Sequence, residues 1–487
     1  MMTVIAIDGL KNFDFAWKSI NWEAMQNNVN RLQARIVKAV KEGNKEKVRS
    51  LQRLLSMSFA AKLLAVKRVS ENKGKRTPGV DNRLLDSAKK KLHQVLTLNR
   101  AGYHSQPLKR VYIPKKNGKK RPLGIPVMKD RSEQALELQG LDPVSECTAD
   151  CHSYGFRKMR STQDATSAIY NALRRKGSAN YILEGDIKSC FDCISHEWML
   201  DNIPMHKQKL KIWLKSGYLE RGIFHPTKEG TPQGGIISPV LANMVLDGME
   251  DLLKHSFRKQ DKIHMVRYAD DFVITGSSKE LLQYAVKPLL VRFLKERGLS
   301  LSAEKTLITH IDEGFDFLGF NFRKYKGKLL IKPAKSSIAR IKEKIRTIIK
   351  SNKTGTTDNL ILALNPIIRG WANYYRHVVS SEVFGKIDHA IWHTTWRWSR
   401  RRHPNKSSRW IKNKYFQQEG DRDWVFGEKE SSERLLRMGQ IHIRRHIKIK
   451  ADANPYDPLW DDYFAKRSKP KAAGFLNELY QCLSPVR

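Results

Sequence analysis

The sequence predicts a mixed fold, with a sheet-containing α+β or α/β core set between two helical regions. Three observations point to it. Apolar residues recur at helical spacing from 21 to 70, and short β-prone runs alternate with helical stretches between 130 and 310. Past residue 330 the chain turns basic, helical and rich in tryptophan. With 487 residues, and about 150 per domain, roughly three domains are expected.

In the first region Met25, Val29, Leu32, Ile36 and Val40 step by three and four, and Gly43-Asn44 supplies a stop. A second stripe runs through Leu51, Leu54, Leu55, Phe59 and Leu63. Arg35, Lys38, Lys41, Lys47 and Arg49 lie off these stripes and suit solvent and RNA equally well. The segment ENKGKRTPGVDN (71–82) reads as a basic loop or boundary. Residues 107–126, PLKRVYIPKKNGKKRPLGIP, read as two strands joined by a basic turn at Lys116-Asn117-Gly118. YILEGDI and HMVRYADDFVITG read as strands, 279–297 and 336–351 as helices. Seven of the eleven tryptophans lie from Trp371 onward, and between Lys386 and Lys414 nine Lys/Arg accompany one acid, Asp388. No repeat with a period of about 20–50 residues is present.

Lysine and arginine number 90 against 49 acids, leaving +41. An excess this large and this dispersed calls for a polyanion, so nucleic acid leads the candidate partners. A membrane is not expected, because no run approaches the ~20 apolar residues of a spanning helix. The opening MMTVIAIDGL is too short, and meets Asp8 too soon, for a secretory signal. Five cysteines in so long a chain suit a reducing cytosol.

The chemistry is sought where local preference is violated. Tyr268-Ala269-Asp270-Asp271 sits between the β-prone runs Met265-Val266 and Phe272-Val273-Ile274. Two adjacent acids there oppose strand propensity and repel each other if buried, so the tetrapeptide is either a hairpin turn or a site. Asp186, after Tyr181-Ile182-Leu183, repeats the anomaly. If both strands lie side by side, three carboxylates converge and offer the hard oxygen ligands that Mg²⁺ prefers. Two ions about 4 Å apart would then activate a 3′-hydroxyl and stabilise leaving pyrophosphate.

Nine motifs carry a resemblance: KRTPGVD (75–81), YIPKKNGKKRPLGIP (112–126), SYGFR (153–157), DIKSCFD (186–192), GTPQGGIISPVLANM (230–244), YADDF (268–272), GLSLSAEKT (298–306), FLGF (317–320) and NPIIRGWANYYR (365–376). In that order they resemble the reverse transcriptase–maturases encoded within group II introns, from about residue 15 to 465. The resemblance implies an α+β right-hand polymerase with an antiparallel palm sheet. It divides the chain into a helical N-terminal extension (1–82), fingers and palm (83–325), thumb and maturase domain (326–435) and a small basic DNA-binding region (436–487). Asp186, Asp270 and Asp271 match the Mg²⁺ ligands, and Lys305 a lysine proposed to protonate departing pyrophosphate, although on the residues alone it reads as a surface lysine. Lys115 and Arg121 match the residues expected to hold the incoming triphosphate, a point cation paired with a planar fork, where a solvated basic turn is the alternative. By the same resemblance Phe191 stands at the family's steric-gate position, where an ordinary core phenylalanine is the alternative. Gln233 and Gly234 match the loop against the templating base pair, where a tight turn is the alternative.

In the last third the resemblance assigns RNA contacts to Arg369, Trp371, Tyr374, Arg376, Arg400, Arg401 and Arg402, in a segment opening at a helix-start Pro366. Trp371 and Tyr375, four apart, suit the core equally. IHIRRHIKIK (441–450) alternates as a strand or extended arm with one basic face. In the family this region precedes or begins the DNA-binding part, so the resemblance implies Arg444, Arg445, Lys448 and Lys450 as DNA contacts. Cys190 with Cys193, and Cys147 with Cys151, mimic a four-thiolate zinc site, but no glycine-bearing knuckle accompanies them and small packing residues are the better reading. Neither zinc nor an endonuclease is expected, since only Cys482 lies beyond residue 193. The NRLLDS after Asp81 departs from relatives, which usually have glycine and a tryptophan there. The implied protein copies intron RNA into DNA from deoxynucleoside triphosphates with Mg²⁺, by target-primed reverse transcription, and assists splicing as a cytosolic or nucleoid-associated ribonucleoprotein. The rivals are a splicing cofactor with a decayed polymerase, and a retron or diversity-generating enzyme, which lacks the long C-terminal segment.

Overall fold

The computed structural model describes residues 12–114, 118 and 120–468. At the N-terminus, Asn21 and Asn44 cap the helices Trp22–Lys41 and Lys45–Met57 through their side-chain oxygens. Val29, Ile36, Leu51, Leu55 and Leu63 bury against Ala135, Leu136 and Val144 of the long helix Met128–Thr148. The second stripe is not one helix. Ser58 is extended and starts a new helix, Phe59–Glu71, leaving Leu54 50% and Phe59 42% exposed. Within the basic loop, Gly79 crosses so close to Val127 that a Cβ would lie 2.6 Å from its Cα. Leu84 and Leu85 of the divergent NRLLDS half-bury against this N-terminal core.

Strands β1 (Leu108–Pro114) and β2 (Lys120–Ile125) form the expected antiparallel hairpin, with Pro114 opposite Lys120. Lys115, Lys116, Asn117 and Lys119 lie outside the described residues. Further along come β3 (Tyr181–Asp186), β4 (Tyr218–Glu220), β5 (Ile223–His225), β6 (His264–Tyr268), β7 (Asp271–Gly276) and β8 (Leu307–His310). The first sheet runs β2-β1-β4-β5 and the second β6-β7-β3-β8, the latter antiparallel throughout. One face of the second sheet packs Leu183, Phe272 and Ile274 onto Leu241, Val245, Leu290 and Leu294 of flanking helices. Its other face joins a large core with a meander over 315–333 and the helices Lys335–Ser351, Thr357–Tyr375 and Ser381–Arg402. The fold is thus α+β.

Pro366 does not start a helix. Thr356 caps one that begins nine residues earlier, and Pro366 sits inside it. The carbonyl that Pro366 leaves without its usual donor is that of Leu362, whose residue is exposed, so water can take the missing hydrogen bond. No described helix is long and apolar enough to cross a membrane.

Residues 441–460 form no strand and present no single basic face, since Ile443 and Ile447 are exposed while Ile449 is buried. They run as a strap across the molecule. The Arg444 amide donates to the Arg376 carbonyl (2.9 Å). His446 Nε2 (2.8 Å), the Ile449 amide (2.7 Å) and Arg467 (2.7 Å) converge on the buried Asp164 Oδ1. Asn454 donates to Cys147 Sγ (3.3 Å), Tyr456 to Asp142, and Asp457 pairs with Lys41. Burial opposes Asp164 ionisation, but the His446 and Ile449 hydrogen bonds outweigh it and hold the carboxyl down at about 2. Asp164→Ala removes the anchor and strands buried donors. Stability should fall by about 3 kcal/mol or more, and limited proteolysis should cut within 441–468 before the rest of the chain.

Candidate active site

The register of β3 and β7 sets Asp186 directly opposite Asp271. This pairing needs Gly185: a Cβ there would lie 2.2 Å from the Phe272 ring. Tyr268 pairs with Asp271, so Ala269 and Asp270 are a two-residue hairpin loop, Ala269 taking φ +58°. The turn and the candidate site are therefore the same feature. All three carboxylates gather at one end of the second sheet.

Their charges are felt mutually. Burial, then Asp270 and Asp186 beside it, push the Asp271 carboxyl up to about 7. Asp270 is raised by burial and by Asp186, with Arg121 and Lys305 pulling the other way. Lys305 Nζ donates to Asp186 Oδ2 at 2.8 Å, and that bond raises its own pKa. Arg121, exposed on β2, is near enough for its charge to act on Asp270; its companion Lys115 lies outside the described residues. Among the described residues, no three His, Cys, Asp or Glu side chains stand as a ready-made metal cage. The carboxylates nonetheless fit a divalent ion chemically, as hard oxygens whose repulsion a cation would relieve. Substrate phosphates complete such shells for Mg²⁺.

Beside the carboxylates, Phe191 is half-buried, its ring edge-on to Phe156 at 6.3 Å. Its carbonyl accepts from Thr231 N (2.6 Å). Gln233 Nε2 donates to both Asp192 oxygens (3.0 Å) and its carbonyl accepts from Gly124 N (2.9 Å), which locks this loop to β2. Gly234 has φ +124°, and a Cβ would stand 2.9 Å from the Gly124 carbonyl oxygen, so glycine is required there twice over.

What sequence reasoning missed lies beneath the turn. Arg267 is fully buried, its guanidinium donating to Asn243 Oδ1 (3.2 Å) and pairing with Asp247 and, at 3.9 Å, Asp150. Its amide donates to His152 O and its carbonyl accepts from Tyr154 N, both at 2.9 Å. Asn243 in turn donates to Gly155 O (2.8 Å), and Gly155 abuts Ala269 N so tightly that a Cβ would come within 2.4 Å. An arginine inside a β run was the available signal.

The C-terminal candidates divide. Arg369, Arg400, Arg401, Arg444 and Arg445 are exposed. Tyr374 is turned inward, donating to Leu318 O (2.9 Å) and stacked on Phe320, and Trp371 packs on Tyr375 with centroids 4.4 Å apart, so both serve the core. Arg376 is half-buried. Arg402 donates to Gly355 O and covers the Trp398 ring. Lys450 lies near the Trp460 and Tyr463 rings, and half-buried Lys448 lines a cavity behind β6. Burial pushes the Cys190 thiol up to about 12 and Cys147 to about 11, as suits packing residues.

Residues 113–322 match the family of reverse transcriptases (RNA-dependent DNA polymerases). Residues 17–98 match the N-terminal domain of reverse transcriptase, and 338–416 the group II intron maturase-specific domain. Protein YkfC of Escherichia coli is 32% identical over 316 residues, covering 55% of this chain and 82% of that protein. The group II intron-encoded protein LtrA of Lactococcus lactis is 30% identical over 409 residues, 64% of this chain and 68% of that protein. Among solved structures, a telomerase from Candida albicans aligns at TM-score 0.34 and 13% identity, covering 64% of this chain and 61% of that one.

Proposed function

The chain belongs to the group II intron-encoded reverse transcriptase–maturases, RNA-directed DNA polymerases that also act as splicing maturases, and we propose that Asp186, Asp270 and Asp271 form its polymerase centre. One observation carries this: Asp186 stands in register opposite Asp271, with Asp270 in the adjoining two-residue turn. Divalent ions held there, two Mg²⁺ in our reading, would lower the pKa of a primer 3′-hydroxyl and neutralise charge building on the phosphates. Lys305 would give its proton to leaving pyrophosphate, a role its hydrogen bond to Asp186 supports. Arg121, with Lys115, holds the deoxynucleoside triphosphate; Gln233 and Gly234 bring backbone against the templating pair. We read 83–325 as fingers and palm and 326–435 as thumb and maturase domain.

The partners follow from charge and exposure. We propose that exposed Arg369, Arg400 and Arg401 contact the intron RNA, and Arg444 and Arg445 the target DNA during target-primed copying in the cytosol or nucleoid. The test is Mg²⁺-dependent primer extension on an RNA template alongside intron RNA binding. Arg400→Glu/Arg401→Glu should weaken RNA binding about tenfold or more while extension on a generic template persists. Failure of the unmodified protein to make cDNA would reduce it to a splicing cofactor.

Phe191 supplies a second readout. If its ring meets the sugar, Phe191→Ala should raise ribonucleotide incorporation relative to deoxynucleotide by about tenfold or more. An unchanged ratio in a single-turnover assay would return Phe191 to a packing role.

A further inference from the structure

A cavity of about 900 Å³ opens behind the palm, lined by the helices Thr162–Leu173 and Met249–Ser256 and by the first residues of β6. It lies toward the end of β6 away from the catalytic turn, its lining running from His264 to Val266, four to two residues or about 13 to 7 Å along the strand from Tyr268. Ala168, Ala172, Leu253, Met265 and Val266 give it an apolar floor, and the rings of Phe257 and His152 line its wall. Around them stand Arg175, Lys254, Lys259, Lys262 and Lys448, the last delivered by the strap.

These cations are poorly compensated. Glu250, the only acid in the lining, is already committed to His152 (2.8 Å) and Lys254 (2.9 Å). The other four have no carboxylate within ion-pair distance among the described residues. A half-buried, unpaired ammonium such as Lys448 is costly unless an anion meets it. Surplus positive charge disfavours a metal ion, and a wholly apolar ligand would leave the cations unmet. A planar ring carrying a phosphate satisfies both floor and rim, and the volume falls in the range of roughly 300–1,000 Å³ that small-molecule sites occupy.

We propose that this cavity is a nucleotide-binding site separate from the polymerase centre, taking a nucleoside phosphate with its base over the apolar floor and its phosphate among Arg175, Lys262 and Lys448. The same chemistry is offered by a free nucleotide and by an unstacked nucleotide of a bound RNA.

Two arms on the full-length protein separate these sources. In the first, a fluorescent N-methylanthraniloyl adenosine monophosphate is titrated with metal chelated by EDTA, so that the polymerase centre is not loaded. In the second, single-stranded RNA carrying 4-thiouridine is photo-crosslinked and the adducts are mapped by mass spectrometry. The proposal expects saturable binding in the first arm, or adducts within residues 253–266 in the second, and whichever arm responds identifies the source. Arg175→Glu/Lys259→Glu should weaken the signal about tenfold or more, whereas Asp270→Asn should not. If that double variant melts early, Lys262→Glu replaces it. Absence of both signals, or signals indifferent to charge reversal in a normally melting protein, overturns the proposal. Loss of primer extension by Asp270→Asn is scored separately, so the polymerase reading and this one fail independently.

Discussion

Asp270→Asn should lower primer extension by at least about 10²–10³-fold while leaving intron RNA binding and splicing support in place. The substitution keeps the shape of the two-residue turn and removes one of three converging negative charges. It also reports on the site without any substrate. Asp271 is held near pH 7 by burial and by Asp270 and Asp186, above the 3.8 of an unfolded aspartate. A raised carboxyl binds its proton more tightly folded than unfolded. Its contribution is therefore fully present below about pH 4 and lost as pH rises toward 7. Removing the Asp270 charge relieves that loss. Without added metal, the melting temperature of Asp270→Asn relative to the parent should accordingly climb between these limits. A melting temperature that instead drops uniformly would mean the variant is misfolded, and its inactivity would then say nothing about catalysis. A proton and a divalent ion also compete for the same oxygens, so the Mg²⁺ giving half-maximal extension should fall as pH rises from about 6 to 8.

The convergence of the three carboxylates was legible because acids inside β-prone runs contradict local preference, and contradiction of that kind stands out at single-sequence level. Strand pairing was legible for the same reason, since YILEGDI and HMVRYADDFVITG can be read without knowing what lies between them. The failures share a different cause. Whether Tyr374 faces RNA or Phe320, and whether Lys448 faces DNA or the cavity behind β6, depends on which distant segment packs nearby, and helical spacing alone carries no such information. The alternation of IHIRRHIKIK suggested a face, yet the strap is held by point contacts to Asp164, Asp142 and Lys41, hundreds of residues away in sequence. Pro366 was misread because its helix has an exposed side on which a lost hydrogen bond costs little. The stripe through Leu54 and Phe59 failed at Ser58, where one extended residue rotates the second helix away from the first.

Arg267→Met is the variant expected to damage the fold most. With 0% of its surface exposed, Arg267 is the largest fully buried side chain among the described residues, and the methionine would leave Asp247 and Asp150 without their cation. Breaking a buried pair on one side typically costs about 3–5 kcal/mol, because the partner's charge stays behind. That cost has a pH signature. Burial already raises both carboxyls, with Arg267 opposing the rise. Without the arginine they rise further, binding protons more tightly than in the unfolded chain, so the deficit should be greatest at alkaline pH and shrink toward acid. Arg267→Met/Asp247→Asn should recover part of the loss, as expected of partners in one network. The functional consequence follows from what the network holds. Asn243 grips Gly155, and Gly155 wedges against Ala269 N, so a loosened cluster lets the turn carrying Asp270 drift. In the fraction that remains folded, kcat should fall while the KM for deoxynucleoside triphosphate stays near that of the parent, because Arg121 on β2 does not depend on Arg267. A deficit flat with pH, or a rise in KM with kcat preserved, would remove Arg267 from any role in aiming the carboxylates and leave it as ordinary packing beneath them.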